Sequence, residues 1–281
     1  MMLVTGATGN IGKELVPQLL NAGQRVRVFV RDERKVAHLG SQVECAVGDL
    51  DQPETLNAAM EGVERMFLVT MGTQQQDMDA VEAAKRAGIQ QIVKLSTLEA
   101  GKPHLQVGRW HREREQIIEA SGIGWTFLRP GMFMSNSIEW WSETIKQQGA
   151  VYFPGKKGKV APIAPFDIAA VAAAVLTEPG HSGQIYELTG SELLTIGDMA
   201  QIIGRALGKP IRYTNVPLFA ARLQMRMSGM DKVLVNALME VAEELRSNKA
   251  AYRTDTVERV TGRPPRTFEV WCREHIAAFR A

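Results

Sequence analysis

Near its start the chain reads Val4-Thr5-Gly6-Ala7-Thr8-Gly9-Asn10-Ile11-Gly12. A short apolar run, residues 1–4, precedes the three glycines, and a run with helical spacing, residues 11–22, follows them. A strand that turns through glycines directly into a helix constrains everything downstream. The first glycine permits the tight turn, the second lets backbone approach a ligand, and the third lets the helix lie close to the strand. Backbone N–H groups at the start of that helix then face outward as an anion site. Gly6, Gly9 and Gly12 are read as a cradle for a dinucleotide pyrophosphate. Thr8 and Asn10 can add side-chain donors, and Ile11 opens the helix.

The following residues keep the same rhythm. Residues 25–30 (RVRVFV) alternate with period two, and 43–47, 66–69, 92–95 and 125–128 read as further strands. Residues 53–60, 77–87 and 109–120 read as the helices between them. Strands alternating with helices mean βαβ units and a parallel sheet. The right-handed crossover rule makes that sheet doubly wound, an α/β Rossmann architecture. After Pro130 the rhythm breaks. Residues 131–160 hold Gly, Pro, Met and a Trp pair around one helical piece, 138–148. An Ala-rich helix at 167–176 and a strand at 185–188 are expected to return to the first sheet, and 196–206 and 231–245 to be helices of a C-terminal region. The expected organisation is a dinucleotide domain of 1–130 plus about 160–190 and a smaller, interrupted domain of 131–159 plus 191–281.

Composition narrows the class. Of 281 residues 45% are hydrophobic and 23% charged, which suits a globular protein with a full core. A formal charge of +2 is too small to argue for nucleic acid. Two distant cysteines, with no CxxC or Cys/His cluster, imply reduced thiols and no metal site. The apolar stretches are too short for a membrane span, and the first residues run into a strand without a basic leader. A cytoplasmic protein is expected, with monomer and homodimer both open.

The residue ending the second strand, some twenty positions past the glycines, selects the ribose. The chain has Val30-Arg31-Asp32 there, followed by Arg34 and Lys35. A guanidinium suits a 2′-phosphate, so Arg31 argues for NADPH, and Asp32 leaves NADH possible. Asp49 and Leu50 follow the third strand; Asp49 can bind the adenine amine or cap the next helix. Thr70, Met71 and Gly72, after the fourth strand, are placed beside the adenosine ribose.

Several segments together carry a family resemblance: "VTGATGNIG" at the start, "GDL" at 48–50, "KLST" at 94–97, "SGIGWTFLRPGMFMSN" at 121–136, "DIAAVAAAVL" at 167–176 and "YELTGSELLTIGDMAQIIGRALGKPIRY" at 186–213. They resemble the NmrA-like branch of atypical short-chain dehydrogenases, whose glycine spacing is the GxxGxxG found here. Within it the chain is most similar to bacterial NAD(P)H-dependent reductases of azo dyes, triphenylmethane dyes and quinones. "QVGRW" (106–110) and "VTGRPPRTFEVW" (260–271) resemble the azoreductases in particular.

Most short-chain dehydrogenases work through Tyr-x-x-x-Lys on a helix. The only literal match, Tyr152 to Lys156, contains Pro154 and Gly155, which break a helix, and lies after the wrong strand. The helix in the right place carries His111 and Glu115, four apart and on one face. The resemblance places a His or Lys at the first position, so His111 is expected to contact ribose or substrate and deliver a proton near neutral pH, with Glu115 orienting it or solvated. Ser96 and Thr97 close the fifth strand at the ligand edge, where Ser96 is a catalytic candidate and both can reach the nicotinamide. The backbone of Pro130, Gly131 and Phe133 is placed for the carboxamide. Met132, Phe133, Asn136, Trp140 and Tyr152 can offer a flat wall suited to a planar aromatic substrate, or pack as core, which is the expectation for most of them. The function so implied is flavin-free and metal-free hydride transfer from NADPH to an azo compound, quinone or triphenylmethane dye. The alternative is a non-catalytic redox sensor that binds NAD(P).

Overall fold

The computed structural model describes residues 1–280. Two compact units emerge. The first comprises Met1–Ala100, Trp110–Pro130 and Pro165–Glu187; the second comprises Gly101–Arg109, Gly131–Ala164 and Leu188–Ala281.

The chain runs β1 (Met2–Thr5), α1 (Gly12–Asn21), β2 (Val26–Val30), β3 (Val43–Val47), α2 (Glu54–Met60), β4 (Arg65–Leu68), α3 (Gln74–Ala87), β5 (Gln91–Leu95), α4 (Gln106–Glu119) and β6 (Gly124–Pro130). It continues α5 (Asn136–Gln148), β7 (Ala150–Phe153), β8 (Lys159–Val160), α6 (Pro165–Thr177), β9 (Gln184–Leu188), β10 (Leu194–Thr195), α7 (Ile196–Leu207) and β11 (Arg212–Asn215). Four helices close it: α8 (Leu218–Met227), α9 (Lys232–Arg246), α10 (Thr256–Thr261) and α11 (Phe268–Glu274).

Seven strands form one sheet in the order β3-β2-β1-β4-β5-β6-β9. Strands β1 to β6 pair in parallel. The order reverses at β1, the switch point where such sheets bind ligands at their carboxyl ends. Central strands such as β1 and β4 are covered on both faces, so they read as unbroken apolar runs. Edge strand β3 is more exposed, and Glu44 on it pairs with Arg27 of β2 at 2.7 Å. One face of the sheet packs Leu3, Met66, Ile92 and Phe127 against Leu56 and Met60 of α2, Ala80 and Ala84 of α3, and Ile118 of α4. On α1, Gln18 donates to the Phe166 carbonyl of α6 at 3.3 Å.

The second unit has its own core, with Trp141, Ile145, Met199, Ile203, Phe268 and Trp271 inside it. Two small sheets, β8 with β10 and β7 with β11, edge that core. Helix α7 begins with a reciprocal cap between Thr195 and Asp198 and ends at Gly208, φ 70°.

Three expectations shift. Residues 160–164 and 188–190 belong to the second unit, because Ile163 hydrogen-bonds Met132 at 2.9 Å and Gly190 bonds Ala161 at 3.2 Å. Residues 101–109 join it too: Lys102 and His104 reach Glu244 at 3.1 and 3.3 Å. Helix α4 starts at Gln106 rather than 109, since Glu240 accepts the Gln106 N–H at 2.7 Å and so caps the helix from α9.

Candidate functional site

The glycine loop has the geometry of a cradle. Gly6 sits at φ +64°, a conformation costly for any side chain. Gly9 donates to the Gly6 carbonyl at 2.9 Å and closes the turn. A Cβ on Gly12 would lie 2.2 Å from the Gly6 oxygen and 2.6 Å from Ala7 Cα. The third glycine therefore exists so that α1 can start against the loop itself. Thr8 and Gly9 are exposed, Asn10 is half-buried and Ile11 is buried at the helix start. No side chain caps α1 there, and the Lys13 N–H bonds the Gly9 carbonyl at 3.1 Å, tying the first turn to the loop. These residues fit a pyrophosphate.

At the end of β2, Arg31 is exposed and makes no ion pair among the described residues. Asp32 is turned toward Arg34. Past β3, Asp49 accepts the Asp51 N–H at 3.2 Å and does not cap α2, whose N-cap residue is Pro53. Leu50 packs on the sheet's core cluster.

The loop after β4 is pinned. Thr70 is buried; its hydroxyl donates to Asp77 at 3.0 Å and accepts from Lys94. The Gly72 N–H is held by Gln76 at 3.0 Å, and its carbonyl by Arg114. Gln76 also donates to Asp51 at 2.7 Å, stapling this loop to the one after β3. The pinned backbone leaves Met71 89% exposed. The Thr70 hydroxyl is thus occupied by Asp77 and Lys94.

Lys94 was missed in the sequence. It is 1% exposed on a central strand and pairs with the fully buried Asp77 at 2.8 Å. Arg114 approaches the same carboxylate at 3.5 Å. Burial drives the Lys94 pKa down, and Asp77 opposes that shift. A charge inside the apolar run QIVKL was the available signal.

Ser96 and Glu115 do come together. The Ser96 hydroxyl donates to Glu115 at 2.6 Å. Glu115, fully buried, also receives two bonds from Arg129, at 2.9 and 2.5 Å, and one from Arg112 at 3.2 Å. Both Glu115 oxygens are occupied, which leaves no oxygen free to take up a proton or touch a ligand. Of the two expectations for Glu115, the solvated one is corrected: the side chain is buried, and it orients Ser96 rather than His111. Thr97 donates to Glu99.

His111 lies on the same helix face, with its Nδ1 buried and unbonded. Burial, then the charges of Arg114 and Lys94, lower its pKa from 6.5 to about 4. The imidazole is neutral at pH 7, so the expected imidazolium proton near neutrality is not stored there.

In the second unit, Gly131 donates to Leu188 at 2.9 Å, the Met132 carbonyl accepts from Ile163, and Phe133 bridges Ile163. Pro130 is the last residue of β6. The Gly131 N–H, one of the groups expected to meet a carboxamide, is thereby spent on internal pairing. Asn136 opens α5. Trp140 is half-exposed and stacks on Phe153, centroids 5.4 Å apart. Tyr152 lies on β7 and donates to Gln148 at 2.9 Å, while Lys156 sits in a turn at φ +50°. That pair is on no helix.

A strand–glycine cradle–helix opening a switch-point sheet defines a nicotinamide-dinucleotide protein. A family model described as NAD(P)H-binding matches residues 6–179, and the chain belongs to that family. Over its full length it is 40% identical to the NAD(P)H azoreductase of Xenophilus azovorans, with 100% of both chains covered. It is 37% identical to the (4-alkanoyl-5-oxo-2,5-dihydrofuran-3-yl)methyl phosphate reductase of Streptomyces griseus, covering 99% of each. Among solved structures, the NADPH-dependent quinone oxidoreductase of Escherichia coli complexed with NADPH aligns with a TM-score of 0.87. Identity there is 26%, over 99% of this chain and 100% of that one.

Proposed function

We propose that the chain is an NADPH-linked reductase that delivers hydride to an electron-poor conjugated small molecule: a quinone, an azo compound or a triphenylmethane cation. The carrying observation is the built cradle from Gly6 to Gly12 in a chain 40% identical, end to end, to an NAD(P)H azoreductase. Nicotinamide, when bound, supplies the hydride.

The chain's residues bind and orient. The first-turn N–H groups at Ile11 and Gly12, with Thr8 and Asn10, hold the pyrophosphate. Arg31 takes the 2′-phosphate, and Asp49, Met71 and Gly72 border the adenosine. Ser96, with its proton donated to Glu115, offers an oxygen lone pair to an amide N–H, and Arg129 holds Glu115 in place. His111 is a neutral hydrogen-bonding wall. In the second unit Trp140, Tyr152, Met132, Phe133 and Asn136 offer a planar acceptor flat and polarizable surfaces. Hydride transfer to such an acceptor needs mainly proximity and orientation, worth about 7–11 kcal/mol. Water supplies the proton that completes a quinone or azo reduction. The free thiols Cys45 and Cys272 suit a cytoplasmic protein, acting without flavin as monomer or homodimer.

The test is NADPH oxidation, followed at about 340 nm, with a panel of quinones, azo dyes, triphenylmethane cations and unsaturated lactones. Acceptor-dependent turnover by flavin-free protein is expected. Tight NADPH binding with no turnover across the panel would overturn the reading in favour of a sensor.

A further inference from the structure

We propose that helix α8 and the start of α9 form a docking surface for an anionic lipid bilayer, on which the protein lies without spanning it.

Charge is divided unevenly between the two units. The second unit holds 20 of the 33 lysines and arginines but only 12 of the 31 aspartates and glutamates, a formal +8 against −6 for the first. The whole-chain value of +2 hides this asymmetry. A basic body of this kind is drawn to an anionic surface, and each cation close to anionic headgroups is worth about fivefold in affinity.

Within that unit, α8 turns large apolar side chains outward. Leu218, Ala221 and Met225 pack on Val235, Met239 and Ala242 of α9. The opposite side carries Phe219, Leu223 and Met227, each four residues from the next and so on one stripe. They are 75%, 58% and 80% exposed. Val233 and Leu234, at the start of α9, are exposed as well. Arg222 and Arg226 run beside the stripe, and Lys232 follows them. Helix α8 contains no acid. Between residues 216 and 239 the one acid is Asp231, and its carboxylate caps α9, accepting from the Val233 and Leu234 N–H groups at 2.8 and 3.2 Å.

Exposed apolar side chains bordered by cations on long stems match an interfacial helix. Its stripe enters the acyl boundary while the arginines reach back to headgroup phosphates. Ten residues span about 15 Å, so α8 can lie in the interface and is too short to cross it. Two other occupants fit less well. A two-fold contact with a second copy would set Arg222 and Arg226 against their own images, with no acid on α8 to pair them. Nucleic acid would use the cations and leave Leu223 and Met227 in water.

Vesicle co-sedimentation of the whole chain tests this, with phosphatidylcholine alone and with phosphatidylglycerol at about one lipid in three. Binding to the anionic vesicles is expected, weak on neutral ones and falling as salt rises. Arg226→Gln and Lys232→Gln should each weaken it about fivefold; Arg222 is left intact because it donates to Asn236 of α9 at 3.2 Å. Phe219→Ser combined with Leu223→Ser should weaken it by roughly tenfold or more. Val270→Ser, at an exposed apolar position of α11, should change nothing. A tryptophan reporter, Leu223→Trp, should be quenched by brominated acyl chains. Absence of binding, equal binding to neutral and anionic vesicles, or binding untouched by the Phe219 and Leu223 substitutions in protein with a wild-type urea midpoint would overturn the proposal. So would a lipid-free dimer, seen by sedimentation equilibrium, that the same substitutions disperse, since the stripe would then be covered by a second copy.

Discussion

Replacing His111 with glutamine should remove a pH-dependent share of stability. In the folded chain His111 takes up its proton near pH 4, because burial and the charges of Arg114 and Lys94 disfavour the imidazolium. In the unfolded chain it does so near 6.5. Between those values the unfolded state binds more proton, so acid favours unfolding. Stability from this group is full above pH 6.5, falls as the pH drops toward 4, and is level below that. With these two values, unfolding should become easier by about 2 kcal/mol between pH 7 and pH 5 in wild type. Glutamine does not titrate, so the variant lacks this slope whatever its offset. The other histidines are common to both proteins and cancel in the difference. Urea unfolding of both proteins at the two pH values measures it, and the His111 ring signals by NMR locate the midpoint directly. Equal slopes, or a midpoint near 6.5, would refute a buried neutral imidazole and return His111 to the surface.

Arg31→Asp should weaken NADPH far more than NADH in fluorescence titrations; equal losses would remove Arg31 from the 2′-phosphate. Glu115→Gln strands the Arg129 guanidinium in the interior and should cost about 3–5 kcal/mol by urea denaturation; a loss below about 1 kcal/mol would mean water already solvates the pair. Lys94→Met leaves the buried Asp77 carboxylate with only the more distant Arg114, at 3.5 Å, as a cation and should destabilise the fold, though by less. Adding Asp77→Asn should recover much of it, and additive losses would show that the two side chains act independently.

The sheet strands and the helices between them were legible because both faces are buried, which makes each strand a short apolar run bounded by glycine or a helix stop. The cradle was legible because its glycines answer to local geometry: φ at Gly6, close approach at Gly12. The second unit was less so. Strands such as Leu194–Thr195 are two residues long, and no periodicity exists in two residues. The polar interior was least legible of all. Glu115 stands one helical turn from His111, but the partner that fixes it, Arg129, lies on β6, fourteen positions on. Thr70, Asp77, Lys94 and Arg114 meet only because β4, β5, α3 and α4 converge.

That polar interior also bears on which acceptors suit the chain. Near the carboxyl ends of β4 and β5, the side chains that could give a proton are bonded within the protein or, for His111, carry no imidazolium proton at pH 7. Thr70 donates to Asp77, Ser96 donates to Glu115, Lys94 is paired with Asp77, and His111 is neutral at pH 7. A ketone receiving hydride becomes an alkoxide, which forms readily only beside a positioned acid. A quinone, an azo bond conjugated to aromatic rings, or a triphenylmethane cation spreads or cancels the arriving charge within itself. Such acceptors ask the protein for alignment more than for a proton. The same side chains that take away the acid build the rigid floor on which alignment depends: Arg129 and Glu115 fix Ser96, and Lys94 and Asp77 fix Thr70. On the proposed reductase reading, the charged network beneath the ligand edge favours electron-poor acceptors through the same bonds that make it stiff.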